Sequence, residues 1–112
     1  MALIVRTNNP DELLKLIKKE IQSENIDTWL IDEDGDFTHT PEQWNCKAWM
    51  HKSHDSEENK LIFGIVGNKY VKMTKSLYAV YHGRFSEMLL SHFDDVIDKI
   101  EITAGKTVYD LF

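Results

Sequence analysis

The chain has 112 residues, 42% hydrophobic and 11% aromatic, enough to bury a core and unlike a disordered or low-complexity polypeptide. Its 13 basic and 19 acidic residues leave a formal charge of −6; the only basic cluster, Lys15, Lys18 and Lys19, is too small to track a phosphate backbone, so nucleic acid is not an expected partner. A single cysteine, Cys46, excludes an internal disulfide and a zinc site of four cysteines from this chain.

Ala2–Arg6 is short, apolar and rich in branched residues, which predicts a central strand. A helix over about 10–23 follows, with Asn9 as N-cap, Pro10 at its first position and Glu12 placed to complete a capping box. Its apolar stripe is Leu13, Leu14, Ile17 and Ile21, with Leu16 on the flank. From Ile26 to Met73 the pattern turns to strands. Thr28–Asp32 and Phe37–His39 flank the turn Glu33-Asp34-Gly35-Asp36. Pro41–Trp44 reads as a single helical turn. Cys46–Lys52 alternates Cys46, Ala48 and Met50 against Lys47, Trp49 and His51. Residues 53–59 are the most polar run and read as a loop. Lys60–Val66 is the most apolar strand and is expected at the sheet centre. Gly67-Asn68 signals a hairpin with a return strand Lys69–Met73.

The densest helical pattern covers 74–97. Leu77, Tyr78, Tyr81, Phe85, Met88, Leu89, Phe93 and Val96 fill one arc at about 100° per residue. Thr74 is its N-cap, and Asp94, Asp95 and Asp98 oppose the dipole at its end, so that it frays or stops soon after Phe93. The rival reading is a strand Leu77–His82, a turn at Gly83 and a helix from Ser86. Lys99–Thr103 is a further strand. Lys106–Tyr109 reads as an edge strand, with Leu111 and Phe112 closing over the core.

Short connections between most strands imply antiparallel pairing. The expected fold is a single α+β domain spanning 1–112. It is a two-layer sandwich with a mainly antiparallel sheet of five to seven strands and both helices, about 10–23 and 74–97, on one face. No run of about 18 apolar residues is present, and MALIVRTNNP lacks the shape of a secretory signal. A cytoplasmic protein without membrane association is the expectation.

Five sets of residues carry chemistry worth locating. Asp32, Asp34 and Asp36 beside Gly35 have carboxylates at alternate positions, but an EF-hand loop starting at Asp32 would need glycine where Phe37 stands and glutamate where Gln43 stands. A polar hairpin turn is the simpler reading. His51, His54 and Asp55, with Cys46 and His39 near in sequence, are metal-capable donors without a zinc spacing; no metal and no cofactor is expected. His82 and Arg84, with Tyr78 one turn earlier, pair a titratable ring with a cation beside aromatics and are the catalytic candidates. Close packing at Gly83 is the structural alternative there. His92 falls within the apolar arc and reads as a core histidine that needs hydrogen-bond partners. Trp29, Trp44 and Trp49 are dense enough to form a platform on the outer sheet face, with core and hairpin packing as the simpler reading; Trp29, Trp49 and Tyr81 are the binding candidates.

These features favour a small interaction or regulatory protein without catalytic activity. It would bind another protein, or a second copy of itself, through an aromatic sheet face or its acidic surface. The alternative is a small enzyme, hydrolase or isomerase-like, using His82 and Arg84.

Overall fold

The computed structural model describes residues 2–53 and 59–112. Strand β1 (Leu3–Arg6) leads into helix α1 (Pro10–Gln22). Strands β2 (Trp29–Ile31), β3 (Phe37–His39), β4 (Ala48–Lys52) and β5 (Lys60–Gly67) precede helix α2 (Lys75–Phe93). A 3₁₀ turn at Asp94–Val96 then leads to β6 (Lys99–Ile102). The six strands form one sheet in the order β2-β3-β4-β5-β1-β6. Every neighbouring pair is antiparallel, and both helices cover one face, giving the expected α+β arrangement.

Local chemistry explains the helices. The Asn9 side chain accepts the Glu12 N–H at 3.3 Å, and Pro10 fills a position whose N–H would have had no partner. Leu13, Ile17 and Ile21 face the sheet, while Leu16 is exposed. Thr74 Oγ1 accepts the Leu77 N–H at 3.1 Å and starts α2. The helix runs unbroken through Gly83, which is exposed, with nothing within 4 Å of where a Cβ would stand. This removes the strand-turn-helix reading and the expected close packing at Gly83. Val96 falls outside the helix and is exposed, whereas His82 and Ser86 lie on its buried side.

Two expected strands do not form. Residues 69–73 do not pair, because β4 on one side and β1 followed by Leu111 on the other already occupy β5. Instead Asn68 turns the chain: its carbonyl accepts the Val71 N–H, its side chain accepts the Tyr70 N–H, and its amide donates to Cys46 O. Residues 107–110 form a turn instead, closed by the Asp110 N–H to Thr107 O, and Leu111 makes a bridge in parallel with Val66.

The core is aromatic at its middle. Phe85 of α2 meets Trp29 and Phe63 with ring centroids 5.0 Å away in each case, and Phe37 at 5.4 Å; the Trp29 and Phe63 contacts are edge-on, the arrangement that ring quadrupoles favour. Tyr81, fully buried, does a different job. Strand β3 pairs with β4 only at Phe37 and Met50. Beyond that rung the sheet splays, and the Tyr81 hydroxyl enters the gap. It accepts the His39 N–H at 3.3 Å, donates to the Trp44 carbonyl, and lies 3.1 Å from Thr38 Oγ1. A side chain thus satisfies the His39 N–H, which the ladder leaves unpaired.

Candidate functional site

The β2–β3 hairpin is built by its turn. Asp32 Oδ1 accepts the N–H groups of Asp34 and Asp36, each at 2.9 Å, and Gly35 takes a positive φ of 83°. The first aspartate of the acidic run therefore closes a turn, as the simpler reading held. A hairpin closed this way sets Trp29 opposite His39 and Ile31 opposite Phe37. Trp29 and His39 stack at 4.6 Å and 32°.

Between this hairpin and the C-terminal half of α2 lies a cavity of about 420 Å³, within the usual size range of small-ligand sites. Its helix wall presents Arg84, Glu87, Met88, Ser91 and His92. The hairpin supplies Thr28, Trp29 and His39, and the turn after β3 supplies Pro41, Gln43 and Trp44. Arg84 and Glu87 pair at 3.1 Å with more than half of each side chain exposed, so the pair holds the rim loosely.

His39 is the chemical centre of this cavity. The residue is 6% exposed, and Nδ1 lies 2.8 Å from the Thr28 carbonyl. A carbonyl only accepts, so Nδ1 carries the proton and Nε2 is the acceptor. Burial pushes the pKa below the ordinary imidazole value; the Thr28 bond opposes this, Arg84 reinforces it and Glu87 opposes it. The ring is therefore held neutral with a defined tautomer. Burial also raises the Tyr81 pKa, against its bonds to Thr38 and the backbone, which keeps that hydroxyl protonated as a donor to Trp44.

The residues singled out by sequence are distributed otherwise than expected. Arg84 lines the cavity. His82 does not: it is fully buried, with Nδ1 2.8 Å from the Tyr78 carbonyl and its ring 4.9 Å from that of Tyr78. One turn on, Ser86 Oγ donates to the His82 carbonyl at 2.8 Å, so both polar side chains bond back onto their own helix. The Tyr78 hydroxyl turns away to Asp110 Oδ2 and Gly105 O. His92, expected in the core, is exposed at the cavity. The arc is helically regular there, but while Phe93 of the same turn is buried in the core, His92 borders the cavity.

The aromatic platform is not assembled. Trp29 is 1% and Tyr81 0% exposed, both on the helix-covered side, while Trp49 alternates with buried Ala48 and Met50 and points to the opposite face. His51 Nδ1 meets Asp36 Oδ1 at 2.7 Å. His54 and Asp55 lie outside the described residues. Among the described residues no cluster of three His, Cys, Asp or Glu could hold a metal ion, and no helix is long and apolar enough to cross a membrane. Cys46 is exposed in a left-handed backbone conformation, φ 59°.

From the sequence, His39 stands out only as a metal-capable donor near His51, and Trp44 only as one of three tryptophans of a possible platform; their meeting at this cavity is not foreseen there. A signal for the first was present: a hairpin centred on Asp34 pairs Trp29 with His39 on the core-facing side. No protein-family model, no curated protein and no solved structure matches the chain.

Proposed function

We propose that the protein is a small non-catalytic interaction or regulatory module, and that the cavity between α2 and the β2–β3 hairpin receives an anchoring group of its partner. The observation that carries this reading is His39: a neutral imidazole whose Nδ1–H is committed to Thr28 O, leaving Nε2 as an acceptor at a cavity with aromatic walls. A fixed acceptor beside apolar ring surface selects a flat group bearing an O–H or N–H donor, the kind of buried anchor that dominates interface energetics. Binding rather than catalysis is favoured by what surrounds the ring. Its proton-bearing nitrogen meets a backbone carbonyl, not an orienting carboxylate. The other pair considered, His82 and Arg84, is divided between core and cavity. The formal charge of −6 favours a basic partner.

Phenol and anisole make the test, since they share a ring and only phenol carries a donor. In amide NMR titrations phenol is expected to shift His39, Trp44 and Arg84 saturably at millimolar concentration, with anisole several-fold weaker. Replacement of His39 by Gln should erase the difference. If neither compound moves these resonances, the cavity is not a recognition site.

A further inference from the structure

Strand β1 covers only part of the edge of β5. It pairs with Lys60–Phe63 and then ends. Beyond it, residues 107–112 of the same chain take the vacated place. Leu111 N–H donates to Ile65 O at 2.7 Å, and Gly67 N–H donates to Leu111 O at 2.9 Å. Leu111 thereby forms a parallel bridge with Val66.

One buried carboxylate anchors this segment. Asp110 is 6% exposed. Its Oδ1 accepts the Ile65 N–H at 3.0 Å, while Oδ2 accepts the Thr107 N–H at 2.8 Å and lies 2.6 Å from the Tyr78 hydroxyl. The floor beneath is shaped for a close backbone approach. A Cβ on Gly64 would overlap the Tyr109 carbonyl, and one on Gly67 would stand 2.8 Å from Phe112 Cβ. Glycine at these two positions gives the segment its room.

The segment is held chiefly by backbone bonds and one carboxylate, with a Phe112–Tyr78 ring contact at 5.8 Å and a Lys106 bond to Phe112 O, and little by apolar burial. Val108 is 86%, Leu111 53% and Phe112 48% exposed. The connection from β6 is exposed over residues 103–106 and contains Gly105 at φ 78°, whose carbonyl accepts from the Tyr78 hydroxyl. An attachment of this kind opens more readily than the core.

We propose that this edge of β5 is a strand-acceptor site for an extended partner segment carrying an aspartate followed by two apolar residues, with residues 107–112 as its displaceable resident. Strand addition draws affinity from main-chain bonds and specificity from a few side-chain pockets. The incoming aspartate takes the Ile65 N–H and the Tyr78 hydroxyl. The next residue takes Ile65 O and Gly67 N–H, parallel to β5. The site is separate from the cavity: it involves Tyr78 near the start of α2, whereas the cavity lies along Arg84–His92.

The test uses the full chain, isotope-labelled, carrying Asp110→Ala, and an acetylated peptide TVYDLF. The substitution weakens the resident and should move the Ile65 and Gly67 amides from their wild-type positions. The peptide should return them saturably at up to about 2 mM. The unsubstituted chain should respond at least about ten-fold more weakly, because its own segment competes at millimolar effective concentration. A peptide TVYALF should not bind. Tyr78→Phe, which removes only a hydroxyl, is a milder way to loosen the resident if Asp110→Ala does not fold. The proposal is overturned if neither loosened chain responds to TVYDLF at Ile65 and Gly67, or if TVYALF acts equally well.

Discussion

Gly83 sits in the interior of α2, exposed, with nothing within 4 Å of an added Cβ. The change Gly83→Ala therefore isolates backbone entropy and helix propensity from packing. Glycine costs about 0.8–1.0 kcal/mol relative to alanine in a helix interior, and no steric term offsets the gain. The expected stabilisation is about 1 kcal/mol. Unfolding entropy near 2.1 cal/mol/K per residue gives roughly 0.24 kcal/mol/K for 112 residues, so the melting temperature should rise by about 4 °C. In urea, with m of roughly 1.5 kcal/mol/M, the midpoint should rise by about 0.7 M at constant m. Far-UV circular dichroism reads both. Ala79→Gly, one turn earlier and also exposed, should lose a similar amount. An unchanged or lowered midpoint for Gly83→Ala would refute a continuous, solvent-facing helix at this position. The strand-turn-helix alternative requires that opposite result, since it would place a turn glycine at position 83.

Three other expectations can be measured on the same protein. Tyr81→Phe removes the hydroxyl that accepts the His39 N–H and donates to Trp44 O. Trp44 O keeps the Lys47 N–H at 3.2 Å, but leaving the buried His39 N–H unpaired should cost about 1–3 kcal/mol and speed hydrogen exchange at that amide; unaltered exchange would show that the hydroxyl does not bridge the splayed strands. The folded-state pKa of His39 lies below the unfolded value of 6.5, chiefly through burial. The unfolded chain thus binds the proton more readily, and this group's contribution to stability is complete above about pH 6.5 and declines as pH falls through the lowered folded-state value. His39→Gln should flatten that part of the stability–pH curve, and a curve of the same slope would contradict it. His92→Gln, at an exposed position, should change stability by no more than about 0.5 kcal/mol in urea unfolding; a loss of several times that would put the ring in the core.

What could be read from residues alone was local or periodic. Asn9-Pro10 and Thr74 marked helix starts because a cap needs only its own first turn. Asp34-Gly35 marked a hairpin because one positive φ specifies a turn. The apolarity of Lys60–Val66 announced a central strand because burial on both faces leaves no polar side. By itself, then, the sequence determined the order of most elements and the α+β class. The tertiary structure decided what each element meets. Residues 69–73 are no strand because β5 had no free edge to offer them, and His92 is exposed because its side of the helix borders the cavity. Trp29 is core because the side of the sheet on which the helices pack is not written in alternation. His39 and Arg84 face one cavity from distant parts of the chain, and Asp110 reaches β5 from more than 40 residues away, at 3.0 Å from Ile65 N. Such meetings depend on how the layers close over one another, a long-range property to which spacing along the chain is blind.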